Sequence, residues 1–478
     1  MALRFYNSIK RKKEEFHPIE HGKIGLYTCG PTVYDYAHIG NFRTFMFEDL
    51  LKRWLTHSGY EVIHVMNITD IDDKTIKKAQ ELNVSLSELT EKYTKFFMED
   101  FEWLKMIPAD KYPKATNSIP KMINIIEKLL RKGYAYREDD GSVYFNISSF
   151  PDYGRLTNIN LVDQRVGDRI AEDEYKKDTP QDFALWKGWK EDDGSVFWDA
   201  PWGRGRPGWH IECSAMSTEF LGNHFDIHCG GVDNMFPHHE NEIAQSQCAS
   251  GEPFVNVWLH SEHLLIDGGK MSKSLDNFYH MEDLKEAGFT PECIRYQLLA
   301  GHYRTKVNFS LDKKKEGDRV IERISDFYFR LEKNNAVQFS GNMLPEVYTR
   351  FKDTMDDDLD TPKALAVFFE WMKSFNAKLD NNSVTQQELG GAWKFLQLFD
   401  SVFGFIRKEK FDVPEEINKL LRQRQKAREE KNWDRSDAIR NELKGRGWFV
   451  DDSPYGQIPK KNSISKLYAK NRFLIIFL

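Results

Sequence analysis

Two short motifs in the sequence carry residues suited to binding phosphate. The first is GPTVYDYAHIGN at residues 30–41, between a short apolar strand and an amphipathic helix. Backbone N–H groups and the helix dipole at such a junction can meet an anion. His38 stands at the mouth of this turn, and Gly40 lets a nucleotide approach the backbone closely. An ordinary strand-to-helix turn is the alternative explanation.

The second motif is KMSKS at residues 270–274, preceded by Gly268 and Gly269, which permit loop movement. Charge accumulates on the oxygens of a phosphoryl centre in its transition state, and ammonium groups on a loop can meet that charge as it develops. Lys270 and Lys273 suit this role. A solvated lysine and serine loop is the alternative, which the presence of the first motif disfavours.

Four further side chains have the chemistry of zinc ligands. Cys29 ends the first predicted strand, Cys213 lies in GWHIECSAM, and His238 and Glu242 are four residues apart in FPHHENE. A regular helix would present His238 and Glu242 on one face and turn His239 about 100° away. Zinc accepts thiolate, imidazole and carboxylate ligands. Because the four are dispersed, buried thiols and a helix-capping histidine explain the same spacing.

The helices and strands predicted around these residues indicate a nucleotide-binding fold that an insertion divides into two parts. Strand 24–28, a helix through residues 42–55 and strand 61–66 predict a βαβ unit with ligand loops at the strand ends. A hairpin around Asp140 and Gly141 predicts an insertion, and candidate strands 225–228 and 254–260 resume the first pattern. Amphipathic helices dominate beyond residue 311.

The composition of the chain limits the classes of function that it can have. A chain of 478 residues predicts two to four domains, and its net charge of −6 leaves RNA contact to local basic patches. An odd count of five cysteines without a secretory signal predicts reduced thiols and a cytoplasmic location. No apolar run is long enough to span a membrane, so we expect no membrane partner.

The paired motifs resemble the two signatures of class I aminoacyl-tRNA synthetases: HIGN at residues 38–41 and KMSKS at residues 270–274. Asn41 replaces the final histidine of the commonest signature, which leaves its polar role at the helix start open. The positions of Cys29, Cys213, His238 and Glu242 resemble the zinc ligands of the cysteinyl-tRNA synthetase family. RQKAREEKNWDRSDAIRNEL at residues 424–443 and DDSPYG at residues 451–456 resemble that family's anticodon-recognition domain.

The resemblance implies activation of L-cysteine with ATP and Mg²⁺, one Zn²⁺ per subunit that selects the substrate thiolate over serine, and transfer to tRNA(Cys) by a monomer. It implies catalytic roles for His38, Lys270 and Lys273, and a pocket-closing role for Trp209, for which a core tryptophan is the alternative. The implied nucleotide-binding residues are Gly30, His38, Gly40, Asn41, Gly230, Gly231, Asp233 and Lys273. A simple tight turn is the alternative for Gly230, Gly231 and Asp233. The implied tRNA-binding residues, for which a solvated basic surface and a core tryptophan are the alternatives, are Arg424, Arg428, Lys431 and Trp433.

The resulting fold class is α/β: a split Rossmann-like parallel-sheet catalytic domain with an inserted connective domain, then an α-helical domain and a small C-terminal anticodon-binding module. The expected segments are 1–114 and 206–260 for the two catalytic halves, 115–205 for the insertion, 261–315 for the KMSKS loop and stem-contact region, 316–410 for the helical bundle, 411–460 for the anticodon module and 461–478 for a tail. Two alternatives stay open. One is a related ligase joining cysteine to an amino sugar, which would lack the RNA module, and the other is a silent, zinc-stabilised RNA-binding paralogue.

Overall fold

The computed structural model describes residues 2–158, 182–270, 278–339, 344–408, 414–453 and 456–461. The chain divides into two units, residues 1–283 with 291–405 and residues 284–290 with 406–478. Lys273 and the rest of residues 271–277 lie outside the described residues. In the described part of the chain, no helix combines the length and the apolar character needed to cross a membrane.

The first unit begins with an antiparallel hairpin followed by the predicted βαβ unit. Its elements up to residue 132 are β1 (Arg4–Asn7), β2 (Lys12–Glu15), β3 (Lys23–Thr28), α1 (Ile39–His57), β4 (Glu61–Met66), α2 (Asp73–Leu82), α3 (Leu86–Trp103) and α4 (Ile119–Lys132). β3 and β4 pair in parallel along their whole lengths. α1 is buried on most sides because aromatic and aliphatic residues recur around it, including Phe42, Phe47 and Trp54.

A small antiparallel sheet follows α4 and spans residues 135–207, most of which fall in the range 115–205 expected for the insertion. Its strands are β5 (Ala135–Arg137), β6 (Val143–Phe145), β7 (Phe183–Gly188), β8 (Trp198–Ala200) and β9 (Gly203–Pro207), in the order β5-β6-β7-β9-β8. β5 and β6 form the hairpin expected around Asp140 and Gly141. In sequence, this antiparallel sheet lies between the two halves of the parallel sheet. Among the described residues, its strands do not pair with those of the parallel sheet.

The parallel pattern resumes after the insertion and completes the central sheet. The next elements are α5 (Trp209–Leu221), β10 (Phe225–Gly231), α6 (Glu240–Ser250) and β11 (Val255–Ser261). The sheet order is β11-β10-β3-β4, with every neighbouring pair parallel. β3 and β10 are the two central strands. The chain passes from β3 to the edge strand β4 on one side and from β10 to the edge strand β11 on the other. A crevice at the carboxyl ends of β3 and β10 is where such sheets bind ligands, and the split α/β fold class is confirmed.

Helices dominate the rest of the chain, as predicted. The first unit continues with β12 (Leu264–Ile266), β13 (Gly269–Lys270), α7 (Met281–Glu286), which runs into the second unit, α8 (Pro291–Leu299), β14 (Val307–Phe309), α9 (Lys314–Lys333), α10 (Val347–Asp356), α11 (Thr361–Asp380) and α12 (Gln386–Phe403). The second unit contains α13 (Glu415–Glu429), α14 (Trp433–Gly445), β15 (Trp448–Ser453) and β16 (Gly456–Lys461). Its small apolar core includes Ile417, Leu443 and Trp448.

Candidate functional site

The crevice between β3 and β10 opens at Cys29 and Gly30. The N–H of Cys29 donates to the carbonyl of Cys229 at 3.3 Å, which extends the pairing of the two strands by one residue. The N–H of Gly30 donates to Asn67 Oδ1 at 2.9 Å. A Cβ at Gly30 would collide with the carbonyl oxygen of Asn67, so only glycine fits where the loop passes the end of β4.

The four predicted metal ligands lie together in this crevice. One ligand atom from each of Cys29, Cys213, His238 and Glu242 lies within 4.8 Å of the others. All four side chains are buried, and Glu242 is fully inaccessible. Cys29 follows β3, Cys213 lies on α5, and Glu242 lies on α6. Three separate elements therefore converge to form a single compact donor set.

His239 lies next to this group, closer than the regular helix expected from the spacing would place it. A second set of ligand atoms within 4.8 Å consists of Cys29, His228, His239 and Glu242. His239 Nε2 lies 3.3 Å from Cys29 Sγ. Its placement differs from that in a regular helix because residues 235–239 form a wide turn with Phe236 at φ −138° and ψ 131°, and only residues from Glu240 onward are regular helix.

Three more histidines, which were not predicted from the sequence, surround the donor set. His228 Nε2 lies 3.0 Å from Glu242 Oε2, so that carboxylate oxygen has a partner. His239 Nδ1 lies 2.8 Å from His260 Nε2. The third, His210, contacts His238 through their Nδ1 atoms at 3.0 Å. Two of them could have been identified from their positions in the sequence. His228 and His260 lie near the ends of predicted parallel strands, and these strand ends face the crevice.

Burial holds the donor set neutral in the absence of a cation. It raises the pKa of Glu242 to about 8 and lowers the pKa of His238 to about 3. The contact with Cys29 and burial together raise the pKa of Cys213 well above its ordinary value. The shifts at Glu242 and Cys213 disfavour the anionic forms that a metal ion would favour, so a bound cation would reverse them. The shift at His238 keeps the imidazole neutral, which is the form that binds a metal.

The oxygens and sulfurs of the group fit a metal ion. Glu242 Oε1 lies 3.1 Å from His238 Nε2 but has no hydrogen-bond partner among the described residues. A buried carboxylate oxygen without a partner is costly in a folded protein. Two thiols, one imidazole and this oxygen form a donor set that zinc accepts. The group can therefore hold a metal.

Trp209 lies beside the donor set and is partly exposed. Its indole stacks on the His238 ring, with centroids 4.0 Å apart and an angle of 22° between the planes. The side chain is 38% exposed, so it is not a core tryptophan. The other cysteines, Cys229, Cys248 and Cys293, are buried and belong to neither donor set.

The predicted phosphate-binding residues lie at the start of α1. His38 is the N-cap residue of that helix, and its Nδ1 accepts a hydrogen bond from the N–H of Asn41 at 3.2 Å. Asn41 Oδ1 accepts from the N–H of His38 at 3.1 Å in return. This reciprocal capping gives Asn41 the polar role that the sequence left open. Because Nδ1 is an acceptor, the proton of the neutral ring is on Nε2.

Gly230 and Gly231 end β10 on the other side of the crevice, and Gly40 is the second residue of α1. A Cβ at Gly230 would lie 2.8 Å from His239 Cε1, so this glycine lets the imidazole pack on the strand. Asp233 lies in the short turn that follows. Lys270 ends β13, which pairs with β12 in an antiparallel hairpin.

The candidate tRNA-binding residues lie in the second unit, and one of them is not on its surface. Arg424 is 1% exposed and donates from a guanidinium N–H to Gln457 Oε1 at 2.7 Å. Lys431 lies beyond the end of α13 at φ 55°. Arg424, Arg428 and Lys431 therefore do not share one exposed helix face. Arg428 packs over the ring of Trp433, which is 55% exposed.

Three family models match the chain. Residues 15–317 match the tRNA synthetases class I (C) catalytic domain, residues 350–407 match the DALR domain, and residues 411–458 match the cysteinyl-tRNA ligase anticodon binding domain. The catalytic model covers both halves of the parallel sheet and the insertion between them.

Curated relatives match over nearly the whole chain. The cysteine–tRNA ligase of Brachyspira hyodysenteriae is 47% identical over 467 residues, covering 95% of this chain and 98% of the relative. That of Chlamydia trachomatis is 46% identical over 480 residues, covering 96% and 100%.

Solved structures share the fold at low identity. Methionyl-tRNA synthetase of Mycobacterium tuberculosis with methionyl-adenylate has a TM-score of 0.59 at 13% identity, covering 80% of this chain and 92% of that one. The leucyl-tRNA synthetase of Agrobacterium radiobacter in its ternary complex has a TM-score of 0.58 at 10% identity, covering 82% and 85%. From these matches and the converging site residues, the chain belongs to the cysteine–tRNA ligase family of class I tRNA synthetases.

Proposed function

We propose that this chain activates L-cysteine with ATP, forming cysteinyl-adenylate and pyrophosphate, and then transfers cysteine to the 3′ end of tRNA(Cys) with release of AMP. The observation that carries the proposal is the buried donor set at the carboxyl ends of β3 and β10. It shares one crevice with the His38-capped start of α1. A thiol-selective site and an anion-binding helix start are the two parts that cysteine activation needs.

Cys29, Cys213, His238 and Glu242 would hold one Zn²⁺. Bound there, zinc supplies a thiophilic coordination position that favours the substrate's sulfur over a serine hydroxyl. Trp209 would close the amino-acid pocket, and its stacking on His238 fixes the orientation of that imidazole. Serine would lack the metal–sulfur interaction, and burying its hydroxyl would still cost free energy. Selection of cysteine over serine therefore needs no second site that hydrolyses wrong products.

The chain's own groups orient and stabilise the reacting phosphate. The cysteine carboxylate attacks the α-phosphate of ATP, which Mg²⁺ would accompany, and pyrophosphate leaves. His38 donates from Nε2–H, and the N-terminus of α1 adds its dipole. Lys270 and Lys273 supply cationic charge from the KMSKS loop, and the glycines on both sides of the crevice let the nucleotide approach the backbone. A ribose hydroxyl of tRNA then attacks the activated carbonyl, so no protein nucleophile is required.

Transfer to tRNA is supported by the second unit, whose residues 411–458 match the anticodon binding domain. Arg428 and the exposed Trp433 offer a cation and an aromatic face for RNA there. The alternative ligase that joins cysteine to an amino sugar would have no use for such a unit.

Cysteine-dependent ATP–pyrophosphate exchange tests the proposal, with serine as the matched substrate and metal analysis on the same preparation. We expect exchange with cysteine, little with serine, about one zinc per chain, and charging of tRNA(Cys). Exchange without charging would favour the amino-sugar ligase. Zinc-loaded, folded protein without exchange would refute the proposed activation step.

A further inference from the structure

The segment that follows the KMSKS motif returns to the start of α1. The N–H of Ile39 donates to the carbonyl of Tyr279 at 2.9 Å. His38 and His280 form an isolated antiparallel β-bridge at the same place. The two signature motifs, far apart in sequence, are therefore joined through backbone hydrogen bonding within a few residues of each.

A ring contact accompanies this backbone bridge. The imidazole of His38 and the ring of Phe278 have centroids 4.8 Å apart, with 69° between their planes. This edge-to-face geometry is the preferred arrangement of aromatic pairs. The Nδ1 hydrogen bond with Asn41 limits rotation of the imidazole from one side, and Phe278 limits it from the other.

Phe278 is itself held in place by its neighbours. Its ring lies 5.1 Å from that of His280, at 70°. The N–H of His280 donates to Asp283 Oδ2 at 2.8 Å, and the His280 ring also contacts that of Tyr36. The segment at residues 278–280 is therefore a fixed support against which the imidazole of His38 rests.

We propose that Phe278 is a positioning residue for the activation step, which rests on the function proposed above. It acts through His38 by fixing the plane of the imidazole, and with it the direction in which Nε2–H donates to the phosphate. Small errors of alignment between a donor and a reacting group reduce rates strongly. The effect of Phe278 should therefore depend on His38 being present.

The test is a double-mutant cycle on ATP–pyrophosphate exchange. Phe278→Leu keeps an apolar side chain of similar size but removes the ring, and Phe278→Tyr keeps the ring. We expect Phe278→Leu to lower kcat about tenfold with the KM for cysteine and the zinc content unchanged, and Phe278→Tyr to retain the rate. In the His38→Ala background, where the donor is absent, we expect Phe278→Leu to change kcat by no more than about twofold.

Phe96→Leu is the matched control, because its ring contacts Tyr36 at 4.9 Å but has no ring contact with His38 among the described residues. It should change kcat by the same small factor with and without His38. An equal loss from Phe278→Leu in both backgrounds would overturn the inference while leaving the proposed function standing. A parent protein without exchange would instead overturn the proposed function and this inference with it.

Discussion

Replacing Glu242 by glutamine should have opposite effects on the metal-free and the metal-loaded protein. Glu242 is fully buried, and its Oε2 lies 3.0 Å from His228 Nε2. Glutamine keeps the shape and one acceptor oxygen for this contact, but it cannot ionise. The substitution therefore isolates the charge of the carboxylate from its packing.

The size of the metal-free effect follows from the pKa of Glu242. Its ordinary pKa is 4.5, and burial raises the value to about 8 in the folded protein. Between these values the folded state binds more protons than the unfolded state, so the free energy of unfolding falls as the pH rises. The slope is about 1.4 kcal/mol per pH unit, which makes the cost about 3 kcal/mol at pH 7. Glutamine carries no such cost.

We therefore expect zinc-stripped Glu242→Gln to be more stable than the zinc-stripped parent by about 3 kcal/mol at pH 7, with a smaller gap at pH 5.5. With zinc present the order should reverse, because the parent keeps an anionic ligand and gains more from binding. Urea unfolding of both proteins with and without zinc measures this, and Glu219→Gln on the exposed end of α5 is the control. A zinc-stripped variant less stable than its parent, or a gap independent of pH, would refute the reasoning.

Three further predictions concern activity. Lys273→Ala should slow ATP–pyrophosphate exchange about a hundredfold with unchanged zinc content, because it removes a charge that meets the developing phosphate charge; an unchanged rate would contradict its role. Cys213→Ser should lower both bound zinc and the cysteine-to-serine ratio of exchange rates at least about tenfold, measured by metal analysis and exchange, and full zinc with full selectivity would contradict the ligand assignment. Leu443→Ala, at a fully buried position of the second unit, should cost that unit about 2–5 kcal/mol and reduce tRNA charging, while exchange stays within about twofold. Loss of exchange together with charging would show that the second unit is not independent of activation.

Local signals in the sequence were sufficient for many elements. The short segment at Glu61–Met66, directly after Gly59, predicted β4 with its observed bounds, and Ser85 and Glu88 form a capping box at the start of α3. Both depend only on neighbours within one or two turns of chain. The placement of β10 beside β3 depends on tertiary packing, and the sequence order of the strands does not specify it.

Two physical causes account for the missed and misplaced site residues. His228 and His260 come near the donor set only because their strands occupy neighbouring positions in the sheet. His239 joins it because a wide turn interrupts the helix that spacing alone predicts. Arg424 is covered because Gln457, more than thirty residues later in the chain, accepts its hydrogen bond. The placements of His228, His260 and Arg424 depend on contacts between residues distant in sequence, whereas that of His239 depends on the conformation of a local turn.

The protonation states of the donor set explain how ligands that are dispersed in sequence can form a group able to hold a metal ion. A zinc ion must displace protons from Cys29, Cys213 and Glu242, whose pKa values all lie above their ordinary range. The imidazole of His238 is already neutral, because burial keeps its pKa at about 3. Ionised thiolates and a carboxylate in this interior would repel one another without a cation. In the metal-free protein these groups are therefore protonated and neutral. Burial disfavours these charges in the metal-free protein, and the same burial strengthens their attraction to a metal ion. This effect of burial requires only that the ligands lie close together in space, and they do not have to be adjacent in sequence.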